Sequence, residues 1–80
     1  MDEVTQQVVE LITGVLTTGG RSAGAVTATS MMGDPVAWDS LAFVEIFVAV
    51  SSHYGLEVSD DDAISFMSVP EIVDFVAQRI

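Results

Sequence analysis

The chain has 80 residues, a formal net charge of −10 and no cysteine. At this size it is one domain, 1–80, with a thin core unless every helix contributes an apolar face, and the missing cysteines exclude disulfides and thiolate metal sites. Half of the residues are hydrophobic, which marks a folded globule rather than a disordered acidic tail.

The twelve acids stand against Arg21 and Arg79, with no lysine. That balance repels phosphate backbones and anionic lipid surfaces and favours a protein partner with a basic docking patch; no nucleic-acid partner is expected. The longest apolar stretch, Leu41 to Val50, is broken by Glu45 and is too short to span a bilayer. Nothing at the N-terminus reads as a secretory segment. The expectation is therefore a cytoplasmic chain with no membrane partner, and Met1 reads as the start of a free-standing protein.

Val4, Val8, Leu11, Ile12 and Val15 recur at three- and four-residue spacing, with Asp2 and Glu3 ahead of them. This predicts a first helix over Val4 to Leu16, closed by Gly19-Gly20. The stretch to Pro35, rich in Gly, Ala, Ser and Thr, has turn chemistry but no helical period. A loop this long is expected to pack through Val26, Met31 and Met32 or to serve function. Trp38 reads either as a docking anchor or as a lid that pins this loop to the bundle. Asp39 suits an N-cap, and Gly55 can end the second helix after Tyr54. Ser59 to Asp62 has capping-box spacing before Ala63, Ile64 and Phe66 and predicts a short helical turn. Ser68, with Pro70 in the first turn and Glu71 three residues on, starts a last helix. Its inward side is expected to carry Val69, Ile72, Val73, Val76 and Ile80. The fold class is all-α, a bundle of three main helices plus one short helix, with a long loop between the first two.

The second helix is apolar on two sides. At about 100° per residue, Phe43, Ile46, Phe47, Val50 and Tyr54 share one arc, and Leu41, Val44, Glu45, Val48 and Ser52 the opposite one. The aromatic arc buries more surface and is expected to face the core. Leu41, Val44 and Val48 are then exposed beside Glu45, as a docking surface for partners; the bland alternative is that the long loop covers Val44 or Val48.

Ser40 lacks what a nucleophilic serine needs. The chain has one histidine, no lysine and no Gly-x-Ser-x-Gly turn, so autonomous hydrolysis is not expected. What Ser40 has is a helix N-terminus, where unpaired amides and the macrodipole favour a phosphate ester; most serines in that position are simply caps. His53 suits the carbonyls at the end of its helix and has no metal-ligand partner at the right spacing. Asp60, Asp61 and Asp62 lack the alternating ligands, central Gly and distant Glu of a calcium loop, and read as helix-start charges. No metal site is expected.

Asp39-Ser40-Leu41 followed by Val44-Glu45, and later Ser59-Asp60-Asp61-Asp62-Ala63 and Val69 to Val76, resembles the acyl carrier protein family. The likeness covers Trp38 to Val76, with the first helix matching by pattern alone. It implies that Ser40, between Asp39 and Leu41 of the motif, receives a 4′-phosphopantetheine arm. A separate phosphopantetheinyl transferase would attach it from coenzyme A, so the chain needs no base and is not itself an enzyme. It also implies that Leu41, Val44, Glu45 and Val48 are the positions touched by acyl-loading enzymes, a ketosynthase or other acyl-processing partners. The acyl group would be held in the core or carried in solvent as a thioester, on a monomer.

Two departures bear on the subtype. The family's general fatty-acid carriers tend to have acids where this chain has Ser51-Ser52-His53, and a small residue at Trp38. The likeness therefore points away from primary fatty acid biosynthesis and toward polyketide biosynthesis or another specialised acyl product. A peptidyl or aryl carrier, and a small helical adaptor that is never modified, are the competing readings.

Overall fold

The computed structural model describes residues 2–18, 26–34 and 37–80. The Gly19-Gly20 stop signal and Pro35 lie outside the described residues. Three α-helices, α1 (Glu3–Thr18), α2 (Ser40–Tyr54) and α3 (Val69–Ala77), are joined by a 3₁₀ helix at Asp60–Phe66 between α2 and α3. No strand occurs among the described residues; Met31 makes isolated bridges to Asp34 and Ser68.

Local chemistry sets the helix ends. Asp2 Oδ1 accepts from the Thr5 amide at 2.8 Å ahead of α1, and this bond holds the Asp2 carboxyl below its usual range. Gly55 closes α2 in the left-handed region at φ 63°, where a side chain would be strained. The Leu56 amide then donates to the Ser51 carbonyl at 2.9 Å and the Gly55 amide to Ser52 at 3.3 Å, the Schellman pattern that satisfies orphan carbonyls. Ser68 Oγ accepts from the Glu71 amide at 3.3 Å, with Pro70 in the first turn of α3. The 3₁₀ segment begins where Asp62 Oδ2 accepts from the Ser59 amide at 2.9 Å.

The core is built from Val8, Ile12 and Leu16 of α1, Ala42, Ile46 and Val50 of α2, Phe66, and Val69, Ile72, Phe75 and Val76 of α3. Phe66 is its aromatic centre. It meets Phe47 edge-on at 4.8 Å and Phe75 at 5.1 Å between ring centroids.

Trp38 is fully buried, which makes it the lid rather than a docking anchor. Among the described residues its indole Nε1 has no hydrogen-bond partner, at a cost of about 1–3 kcal/mol. Burial of a ring of about 150–250 Å² is worth about 4–6 kcal/mol at 25 cal/mol per Å² and outweighs that cost. The loop before it is fastened through backbone: Ser30 O accepts from the Val69 amide at 2.9 Å, Met32 N donates to Met67 O at 2.8 Å, and Gly33 N donates to Trp38 O at 2.8 Å. Val26 and Met32 are half-buried as expected, while Met31 is exposed and contributes through its backbone.

The expected inward face of α3 needs correction at its end. Ile80 lies beyond the helix and is 64% exposed, and Phe75 takes the inward place. The helix stops at Ala77, one turn too early for Ile80 to reach the core.

Candidate functional site

Ser40 is the first residue of α2, solvent-exposed, directly after a capped turn. Asp39 Oδ1 accepts from the Ala42 amide at 2.9 Å and the Asp39 carbonyl from the Phe43 amide at 2.9 Å. The Asp39 carboxylate thus organises the first turn and leaves Ser40 at the positive end of the helix dipole. Among the described residues no hydrogen bond engages the Ser40 hydroxyl. Trp38, two residues earlier, anchors the chain in the core and fixes the height at which the serine emerges.

No histidine or lysine stands near Ser40 among the described residues, and the neighbouring Asp39 carboxylate is engaged as the helix cap. His53, the one histidine, lies thirteen residues down the same helix, about 20 Å along the axis at 1.5 Å per residue, and stands edge-on to Tyr54 at 4.8 Å. That separation excludes the hydrogen-bonded pair that activates a serine nucleophile. No group of three or more metal-ligating side chains occurs among the described residues, and Asp60 and Asp61 are solvated. The site can present a hydroxyl for modification.

From Ser40 a stripe of apolar side chains runs down the outer face of α2. Leu41, Val44 and Val48 are 64, 53 and 57% exposed, so the described part of the loop covers neither valine, and Glu45 sits half-buried beside them. The core face of α2 is the expected aromatic arc, widened on either side. Ile46 and Val50 are buried, but Phe43, Phe47 and Tyr54 are only half-buried, and Ala42 and Ser51 take inward places. Ser51 tolerates burial because its hydroxyl donates to the Phe47 carbonyl at 2.6 Å.

The valine stripe is also one wall of a groove of about 710 Å³ between α1 and α2. Val44, Val48 and Ala49 face Leu11, Gly14 and Val15 across it. The two helices run antiparallel, since the Tyr54 hydroxyl donates to Gln7 Oε1 at 2.7 Å and so ties the end of α2 to the start of α1. Burial, with the Glu3 charge, raises the Tyr54 phenol above its ordinary value. The α1 wall was not foreseen in the sequence. Its available signal was Gly14, a glycine inside an apolar-periodic helix, which costs about 1 kcal/mol relative to alanine.

The chain is similar over 98% of its length to curated proteins named acyl carrier protein, at 26% identity over 78 residues. They include those of Rickettsia canadensis, Rickettsia rickettsii and Rickettsia prowazekii, of which the match covers 87%. No protein-family model matches the chain, and no solved structure gives a significant match. The all-helical architecture agrees with the bundle that this likeness implies. The name those proteins bear is that of a carrier.

Proposed function

We propose that this chain, a member of the acyl carrier protein family by its whole-length likeness to curated carriers, holds acyl intermediates as thioesters on a 4′-phosphopantetheine arm attached to Ser40. The observation that carries the reading is the exposed Ser40 hydroxyl at the first position of the Asp39-capped helix. The residues fit the group. Ser40 is exposed, the first turn of α2 offers the helix's positive end to a phosphodiester, and among the described residues no side chain is hydrogen-bonded to its oxygen. The arm, when attached, supplies the thiol on which the acyl group is carried. The chain itself supplies position: Asp39 fixes the turn, and Leu41, Val44, Glu45 and Val48 offer partners an apolar stripe with an acidic residue in it.

The partners are a phosphopantetheinyl transferase and then acyl-loading, ketosynthase or other acyl-processing enzymes, met by a monomer in the cytoplasm. The pathway reading is polyketide or another specialised acyl metabolism. Ser51, Ser52 and His53 leave the end of α2 without acids, and the exposed aliphatics favour docking by apolar contact. Intact mass after incubation with coenzyme A, magnesium and a promiscuous transferase tests the assignment. The chain gains one phosphopantetheine and Ser40→Ala gains none. A folded chain that gains nothing from several transferases is the unmodified adaptor instead.

A further inference from the structure

Two core residues flank the exposed Ser40, each two positions away: Trp38 before it and Ala42 after it. Ala42 is small, and Trp38 is the largest side chain that the fold buries completely. The backbone from Trp38 to Ser40 spans at most about 7 Å, so the ring fills the interior at the base of the serine. It belongs to one cluster with Ile12, Ile46 and Phe66, and Phe66 interlocks edge-on with Phe47 and Phe75. Interiors of this kind are close-packed and accept added groups only with strain.

The ring is also held in place by its backbone. Gly33 N donates to Trp38 O at 2.8 Å, and the next residue, Asp39, caps α2 by accepting from the Ala42 amide at 2.9 Å. Trp38 stands just ahead of that cap, where an apolar residue fixes the angle at which the chain enters a helix. Swinging the ring outward would therefore disturb the turn that presents Ser40. Its polar atom adds nothing to the anchoring, since among the described residues Nε1 has no partner. A phenylalanine would be buried without that unpaired donor, so what the indole supplies beyond a phenyl ring is volume.

We propose that Trp38 is a specificity-determining plug: it closes the core of the bundle to the group carried on Ser40, and cutting it back opens an interior site for an aliphatic acyl chain. The proposal rests on the Ser40 reading. With the core shut, no interior pocket of fixed depth sorts the cargo by length or polarity. Truncation of a buried side chain leaves a cavity, because the surroundings relax only in part. A cavity of about 150 Å³ lined by aliphatic and aromatic side chains stays dry and takes an apolar ligand, and the walls here, Ile12, Ile46 and Phe66, are of that kind.

The test compares methyl and aromatic NMR spectra of the pantetheine-bearing chain with those of its octanoyl thioester, in the parent and in Trp38 variants. Trp38 is the one tryptophan of the chain, so the parent has a single indole N–H signal. In the parent, octanoyl loading is expected to leave that signal and those of Ile12, Ile46 and Phe66 in place. In Trp38→Ala the same loading should shift Ile12, Ile46 and Phe66, while Trp38→Phe, which keeps most of the volume, should stay silent. If the alanine variant fails to fold, Trp38→Leu, a smaller truncation, takes its place, and the parent spectrum supports or overturns the closure without any variant. Core shifts in the octanoylated parent overturn the plug. Folded truncations whose core stays silent overturn it as well, because something other than Trp38 then keeps the cargo out. No mass gain on loading removes the carrier reading itself, whereas a clean mass gain with core shifts in the parent removes the plug alone.

Discussion

Asp39 does two things with one side chain. Its Oδ1 satisfies the Ala42 amide, and its place in the chain puts Ser40 at the first exposed position of α2. Replacing a capping aspartate with alanine costs about 0.5–2 kcal/mol, and in a domain of this size about 1 kcal/mol moves the melting temperature by about 4–8 °C. Asp39→Ala should therefore melt several degrees lower than the parent by circular dichroism. Asp39→Asn keeps the acceptor oxygen and should recover most of the loss. If the two variants melt alike, the cap is not what the side chain contributes.

At the level of elements, the 3₁₀ helix is the piece that closes the bundle. It packs against both α2 and α3, and its seven residues exceed the usual run of three or four for this geometry. Tertiary contact sustains it: Phe66 at its end is fully buried between Phe47 and Phe75. Truncating a buried phenylalanine costs about 3–5 kcal/mol, which is a large part of the total stability of a domain this small. Phe66→Ala should lower the urea midpoint sharply. It should also weaken amide-exchange protection in α3 and in the Ser30 to Met32 segment that is bonded to the 3₁₀–α3 junction. Undiminished protection there would show that the loop is held by something other than this junction.

For the whole molecule, charge has the largest influence beyond the core. A net charge of −10 on 80 residues repels itself in the compact state, and the described part of the chain offers Arg79 alone among lysines and arginines to offset it. Arg79 lies 3.6 Å over the Phe75 ring and donates to the Phe75 carbonyl at 3.1 Å, so its effect is local. Raising the ionic strength from about 0.01 M to about 0.15 M shortens the Debye length from about 30 to about 8 Å. The melting temperature should rise across that range. A flat or falling response would mean that the acids are already neutralised within the fold.

Sequence by itself determined the features whose causes are local. Asp39, Gly55, Ser68 and Pro70 mark helix ends because caps satisfy amides and carbonyls within a few residues of themselves. The charge balance and the motif around Ser40 are likewise properties of the chain alone. Three- and four-residue spacing found the inward Val8 and Ile12 of α1, since that helix has a distinct apolar face. For α2, apolar on two sides, spacing alone left the choice open and the larger area of the aromatic arc chose rightly; the neighbours then also admitted Ala42 and Ser51 and left Phe43, Phe47 and Tyr54 half-covered against the core. Tertiary structure also decided Trp38, whose burial depends on the loop and the bundle closing around it, and Ile80, whose period points inward but whose helix ends at Ala77. The groove belongs to neither helix by itself. It arises because α1 and α2 lie antiparallel with a glycine at residue 14 opposite the valines of α2, and a space between two elements is fixed only when both are in place.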